Sequence, residues 1–315
     1  MALAAALGAR AVDLRVALDP SVSPNPDRVL LLEVRLPRVV LGALAGGALA
    51  SVGVALQALL RNPLGDPYVL GTSGGAALGA TLALVVGVPV GALGGLVLPL
   101  WAFAGAVLAT LVAYAAAHVT GRATTTSVLL AGVVINAFTS AAIMLIKTLV
   151  TSTKAQEMLF WLMGFIGNES WPTLGMLAVY VLVGTVALSL LGGRMNLLSL
   201  GDSTASHLGL DVKRTKQLLL GVSSLVVGGV VALCGLIGFV GLVVPHALRL
   251  SVGPDHRVLV PASALAGATF VVLADLAARL SFDVFGTEPP VGAITAVIGC
   301  PVFLWLMARY RHHLA

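Results

Sequence analysis

Gly71-Thr72-Ser73-Gly74 has the G-x-S-G form of a serine nucleophile turn, as used by intramembrane proteases. Such a serine attacks only when a base takes its proton, and His246, inside an apolar run, is the candidate imidazole. The competing reading is structural. Small residues continue through Gly75-Ala76-Ala77 and Gly79, the composition of a close contact between membrane helices, and a short motif outside its structural context is a weak signal. Asp275 and Arg279 stand four apart, the spacing of an ion pair on one helix face. An acid in an apolar run is also the least that an ion-coupled secondary transporter would need. The sequence holds no G-x-x-x-x-G-K-[ST] and no Gly-Lys pair, so any ATP used is bound on another polypeptide. Cys234 and Cys300 lie in apolar stretches and read as buried thiols, neither a disulfide framework nor a metal site.

The elements that position these groups follow from composition. The chain has 315 residues, 58% hydrophobic and 10% charged, with a mean hydropathy of +1.03. Soluble domains carry about a quarter charged residues. That contrast excludes a soluble enzyme and a disordered protein. The net charge of +5 comes from scattered residues without a basic run, which excludes a nucleic-acid binder. Glycine is abundant, at 36 residues, as in closely packed membrane helices. The alternating ten-residue segments of a membrane barrel do not occur. The fold class is all-α and polytopic.

Uncharged runs place the crossings, since each needs roughly 20 apolar residues. One run covers 39–60. Residues 67–121 carry no charge, room for two spans broken around Pro89 and Gly91. Residues 123–146 and 170–193 give two more. The uncharged run 217–248 would be about 48 Å long as one helix, against a hydrocarbon core of about 30 Å. Lys213, Arg214 and Lys216 precede it and Arg249 and Arg257 follow, so both ends lie on the cytoplasmic side and the run crosses twice, turning near 235–238. Residues 258–278 and 289–308 complete nine spans.

The positive-inside rule sets the orientation. Arg61, Arg122, Arg194, Lys213, Arg214, Lys216, Arg249, Arg257, Arg309 and Arg311 fall inside; Lys147, Lys154 and Arg279 fall outside, and Arg35 and Arg38 stand outside at the start of the first span. Residues 1–18 contain Arg10, Asp13 and Arg15 and do not span as they stand. They read as a truncated first helix, with residues 1–35 forming that remnant and an external segment of a single domain over 1–315.

Three loops stand out. Arg61-Asn-Pro-Leu-Gly-Asp-Pro67 is a cytoplasmic turn whose prolines stop helices on either side. Thr124-Thr-Thr-Ser127 sits in the next cytoplasmic loop, where its hydroxyls either cap a helix or join the first turn in a polar constriction. Residues 196–217 form the longest polar interruption inside, overlapping a cytoplasmic loop over 194–216. Asp202 or Ser203 starts a short amphipathic helix there and Gly209 stops it. That helix either lies on the membrane surface or docks a cytoplasmic partner. Outside, Trp161 and Trp171 suit an interfacial belt.

Several blocks, in order, resemble a known family. Arg35-Leu-Pro-Arg38, Gln57 through Asn62-Pro-Leu-Gly-Asp-Pro67, and Leu70-Gly71 look like the first signature block of the iron-siderophore, haem and cobalamin ABC importer permeases. Leu130-Ala-Gly132 and Trp161-Leu-Met-Gly164 match the middle. Gly235-x-Ile-Gly-Phe-Val-Gly-Leu-Val-Val-Pro-His246, Arg249, Asp255-His-Arg257, Leu273-Ala-Asp275, Arg279, Pro290-Val-Gly292 and Gly299-x-Pro301 match the last third. Cys234-Gly, Asp255-His-Arg-Val-Leu259 and Pro301-Val-Phe-Leu-Trp305 look more like the cobalamin branch than the haem branch.

The resemblance implies a type II ABC importer permease of about ten helices in a bacterial or archaeal cytoplasmic membrane. It implies a pathway between two copies of the chain, two cytoplasmic ABC ATPase subunits carrying ATP and Mg, and a substrate-binding protein outside, with no cofactor in this chain and no nucleic acid. Arg35, Arg38 and Arg279 would meet acids of the binding protein. Asn62 and Leu64, with Thr125 and Thr126, would form the cytoplasmic gate. Gly201, Asp202, Ala205, Leu208 and Gly209 would couple to the ATPase. The cargo would be a large metal chelate: cobalamin, haem or a ferric siderophore.

Overall fold

The computed structural model describes residue 4 and residues 13–19, 24–87, 97–119 and 125–311. Pro89, Gly91, Arg10 and Arg122 lie outside the described residues, as do the side chains of Thr125, Thr126, Arg309 and Arg311.

Helix α1 (Leu14–Leu18) begins at Asp13, whose carboxylate accepts the Arg15 N–H at 2.9 Å. Helix α2 (Pro26–Val29) begins at Asn25, which accepts the Arg28 N–H, with proline in the first turn where its missing N–H matters least. A π-helical turn (Leu30–Arg35) then leads without interruption into α3 (Leu36–Leu60). Pro37 accounts for the π geometry. A proline ring clashes with the carbonyl four residues back, and the wider turn, with the Leu36 N–H on Leu31 O, moves that carbonyl aside. The first span is therefore one rod over Pro26–Leu60. The helix is longer than the expected run 39–60 and takes in Arg35 and Arg38; at about 52 Å it exceeds a hydrocarbon core of about 30 Å, so its first turns have room to stand outside the span.

Helix α3 is apolar on every side because it is buried on every side; Ala45, Ala48, Val52 and Leu56 are fully inaccessible. Between apolar helices in lipid, association comes from close packing, which small residues permit. Gly46 of α3 meets Gly267 of α13 (His256–Leu280), where a Cβ on either would overlap the other's carbonyl. Helices α4 (Thr72–Val86) and α5 (Val97–Val119) close on each other in the same way through Gly75 and Gly105.

The chain continues through α6 (Thr125–Leu149), a short outer helix α7 (Ser152–Leu162) and α8 (Trp171–Leu190), capped by Ser170. At the basic end α9 (Gly192–Ser199) and α10 (Asp202–His207) form a helical hairpin before α11 (Val212–Cys234). After α12 (Val240–Val252) and α13 come α14 (Phe282–Phe285) and α15 (Val291–Arg311). Among the described residues six helices are long and apolar enough to cross, and three shorter apolar ones fall in the remaining expected segments.

The run 217–248 is divided where the turn was expected, into α11, a non-helical reversal at 235–239, and α12, an apolar helix of 13 residues. Non-helical backbone at membrane depth must find partners inside the protein. The non-helical segment 164–170 beside the reversal does so: the Phe165 N–H donates to Cys234 O at 2.9 Å, and Gly164 O accepts the Gly292 N–H at 3.2 Å. Pro245, within α12, leaves the Gly241 carbonyl without its helical donor. The buried Gln57 supplies one, its Nε2 donating to Gly241 O at 3.3 Å and Leu242 O at 3.2 Å. Arg249 Nη2 donates back to Gln57 Oε1 at 3.3 Å, tying α3 to the end of α12.

Candidate functional site

The two ends of the bundle carry different sites. At the end that the positive-inside expectation puts outside, called the outer end, α3 and α13 run together and bring Arg38 and Arg279 onto one acid. Asp275 accepts Arg38 Nε at 2.8 Å on one oxygen and Arg279 Nε at 3.0 Å on the other. The expected i,i+4 pair is thus present, with a second arginine added from α3. Arg38 Nη1 continues to Glu288 Oε2 at 2.7 Å, beyond α14. Asp275 is 1% exposed and Glu288 is 38% exposed, so the row of charges runs from the interior to the surface. Arg279 also donates to Ala4 O at 2.8 Å. Of the three arginines expected at the outer surface, Arg35 and Arg279 are buried and Arg38 is partly exposed. Arg35 shares its buried helix face with Leu31 and Val39, four residues to either side, while Glu33 and Val34 of the same rod are exposed.

At the basic end the turn 61–71 is built from side-chain caps. Arg61 adopts left-handed backbone (φ 49°) to leave α3. Asn62 Oδ1 accepts the Leu64 N–H at 2.9 Å and Asn62 O accepts the Gly65 N–H at 3.0 Å. Gly65 lies against the α3 backbone; a Cβ there would stand 2.9 Å from the Gln57 nitrogen. Asp66 caps the 3-10 turn Pro67–Leu70 through the Tyr68 N–H at 2.8 Å. Burial, opposed only by that hydrogen bond, pushes the Asp66 carboxyl up to about 6. Asn62 and Leu64 are both exposed. Thr125 and Thr126 open α6, with side chains outside the described residues.

In the hairpin next to this turn α10 has the boundaries expected of the single short helix, and α9 is an additional helix. Gly201 (φ 103°) precedes Asp202 at the first position of α10, and Gly209 (φ 85°) ends it, with the Leu210 N–H returning to Ala205 O at 3.0 Å. Ala205 is buried and Leu208 is exposed. Asp202 joins three elements: Oδ1 accepts Arg61 Nη2 at 2.8 Å and Oδ2 accepts Lys216 Nζ, from α11, at 2.6 Å. Asn196 of α9 fixes the base of the hairpin to α13. Its Nδ2 donates to Asp255 Oδ1 at 2.7 Å, and its Oδ1 accepts the His256 N–H at 3.0 Å. The hydrogen bonds from Asn196 and from the Arg257 N–H hold the Asp255 carboxyl below its ordinary range. Sequence reasoning placed Asn196 in the right loop and missed its role, because its partners lie about 60 residues away.

The other candidates are not brought together in this way. Ser73 Oγ donates to Tyr68 O at 3.5 Å and lines a cavity of about 390 Å³ with Asn136, Ser140 and Lys147. His246 packs edge-on to Phe303 on α15, with ring centroids 6.1 Å apart. Asp275, the candidate for ion coupling, is held by two arginines. Cys234 is buried, whereas Cys300 is exposed, a correction to its expected burial. Trp161 is buried against the 235–237 reversal and does not join an interfacial belt; Trp171 is half-exposed and donates to Leu32 O at 3.2 Å. No cluster of metal-ligating side chains occurs among the described residues.

Apolar helices wound about a buried central rod, with a capped turn and a helical hairpin at the basic end, define a multi-pass permease bundle. Residues 1–309 match the FecCD transport family, and the chain belongs to that family. It is 44% identical over 290 residues to the cobalamin import system permease protein BtuC of Halobacterium salinarum, covering 90% of this chain and 74% of that protein. It is 40% identical over 282 residues to the hemin transport system permease protein HmuU of Yersinia pestis, covering 89% and 83%. A solved structure assigned to the metal-chelate type of ABC transporter, in an inward-facing conformation, superposes with a TM-score of 0.83 at 31% identity over 98% of this chain and 94% of that one. PsaBC from Streptococcus pneumoniae shares the fold alone, at a TM-score of 0.60 and 16% identity. The chain is a permease subunit of the ABC importer type.

Proposed function

We propose that this chain forms, with a second copy of itself, the membrane pathway of a binding-protein-dependent importer for a metal chelate of cobalamin or haem size. The observation that carries the reading is the 44% identity to a cobalamin permease protein over 90% of this chain, and cobalamin is accordingly the first cargo to test. Two ATPase subunits engage the α9–α10 hairpin from the cytoplasm of a bacterial or archaeal cell. The turn at Asn62 and Leu64, with Thr125 and Thr126, closes the inner mouth, and Gly201, Asp202, Ala205, Leu208 and Gly209 carry the contact with the ATPase. ATP, with Mg, is bound by the ATPase and shifts the balance between two packings of the bundle. Outside, a binding protein docks over Arg38 and Glu288, the surface members of the outer charge row, with Arg35 and Arg279 beneath. Their exposure supports this assignment.

Reconstitution in liposomes with the ATPase and binding protein tests the reading. Cobalamin-loaded binding protein is expected to stimulate ATP hydrolysis and cobalamin uptake together. Stimulation by haem-loaded binding protein alone would reassign the cargo. Absence of any coupling, alongside a proteolytic activity lost in Ser73→Ala, would overturn the importer reading. Arg38→Glu is expected to weaken binding-protein docking most at low salt, and unchanged docking would remove Arg38 from that surface.

A further inference from the structure

We infer that Arg61, Asp202 and Lys216 form the linkage that delivers movement of the α9–α10 hairpin to the turn at Asn62, and that Arg61 is the positioning residue of that turn. The inference rests on the importer reading above and assigns residues that act within it.

Each carboxylate oxygen of Asp202 is committed to a different element: Oδ1 to Arg61 at the end of α3, Oδ2 to Lys216 on α11. A displacement of α10 therefore pulls on both at once. Arg61 is where α3 becomes the turn, and it does so in left-handed backbone, a conformation that residues with a Cβ rarely hold. Its guanidinium lies against Gly201, where a Cβ would come within 3.4 Å of Nη1. The next residue, Asn62, caps the turn through the Leu64 N–H. One side chain thus joins the helix end, the turn cap and the first residues of α10. The base of the hairpin is fixed separately, by Asn196 on Asp255 and His256, so motion at α10 is a pivot rather than a translation of the whole hairpin. Arg61 and Asp202 are both more than two-fifths exposed, and ion pairs in that setting contribute little to folding. Such a pair can open and re-form without unfolding either partner, which a linkage between two packings requires.

The complete transporter in liposomes, with ATPase and binding protein, reads this as substrate moved per ATP hydrolysed. Arg61→Gln is expected to assemble with the ATPase and to lower that ratio about fivefold or more, in the range of typical coupling factors. Arg61→Lys, which keeps the charge, is expected to recover most of the loss, and Lys216→Gln to lower the ratio less than Arg61→Gln. Amide exchange at residues 62–66, followed as nucleotide is added to the ATPase, is expected to change in the wild type and to stay flat in Arg61→Gln. A wild-type ratio in Arg61→Gln, or a nucleotide response at 62–66 that survives it, would overturn the linkage. Weaker ATPase assembly at an unchanged ratio would overturn it too, leaving Arg61 a docking residue. Loss of substrate-stimulated hydrolysis in the wild type itself would instead break the importer reading.

Discussion

Asp275 and Asp202 make the same bond pattern in opposite surroundings. Each is a single acid with one oxygen on an arginine of the α3 rod and the other on a second base, from its own helix at Asp275 and from α11 at Asp202. Asp275 is sealed at 1% exposure, while Asp202 is 46% exposed. A sealed acid cannot exchange its partners for water, so its arginines are fixed and the junction of α3 with α13 is held in one arrangement. A half-exposed acid can exchange them at little cost, so its junction has more than one arrangement within reach. The bundle is locked at its outer end and hinged at its basic end, and the surrounding solvent, not the residue types, makes the difference.

The largest test of that contrast is Asp275→Ala. Removing the acid takes from the buried Arg279 its ion pair with Asp275 and leaves it beside Arg38, which keeps Glu288, and breaking a buried pair from one side typically destabilises by about 3–5 kcal/mol. The expected outcome is a large drop in unfolding temperature of the purified chain in detergent, or loss of the monodisperse form. Replacing the cluster together, as Arg38→Met with Asp275→Leu and Arg279→Met, is expected to recover most of that stability, because apolar groups of similar volume need no partners. If Asp275→Ala unfolds like the wild type, the outer end is not a lock.

What could be read beforehand divides along physical lines. The apolar helices, the break at 235–239 and the pairing of Asp275 with Arg279 follow from bilayer thickness, flanking charge and helical period, which are local properties of the chain. The Arg38–Asp275 bond joins residues 237 apart, and nothing local signals it. Trp161 and Cys300 show the same limit from the other side. Hydropathy places a residue in the membrane but does not say which way a helix turns it, so one proved buried and the other exposed. Gln57 was the missed residue with a legible signal. Pro245 inside an apolar helix frees a carbonyl, and a buried amide elsewhere in the chain is the natural donor for it. The site at the basic end was half legible: glycines bounded α10 correctly, but the sequence did not show that Arg61 reaches it.

A third acid refines the comparison. Asp66 is half-buried and has no ion pair with a basic side chain among the described residues, so burial is not offset by a counter-charge and pushes its carboxyl up to about 6. The folded value lies above the ordinary 3.8. The unfolded chain therefore ionises first as pH rises, and stability is lost between roughly pH 4 and 6, by up to about 3 kcal/mol. Asp66→Asn keeps the cap on the Tyr68 N–H, since asparagine caps as well as aspartate, and removes the titration. The variant is expected to exceed the wild type in unfolding temperature at pH 7.5 and to approach it only below about pH 3.5, where Asp66 is protonated in both states. An equal pH slope in both proteins would show that Asp66 is solvated or paired after all.

Asp202→Asn is expected to have the smallest effect on stability, and that is what separates the two ends. Its two bridges face water, where exposed pairs contribute about 0.2–1 kcal/mol each and weaken with salt. The unfolding temperature should fall only slightly, and the difference from wild type should shrink further at high salt, where the bridges are screened. Glu288→Gln, which removes the exposed end of the outer row and leaves Asp275 between its two arginines, is expected to behave like Asp202→Asn rather than like Asp275→Ala. The two substitutions together ask whether position in the bundle or depth of burial sets the role of a charge. A large, salt-insensitive loss in Asp202→Asn would make the basic end a second lock. A hinge there requires that the same substitution leave the fold almost untouched while changing how readily the hairpin moves against the turn.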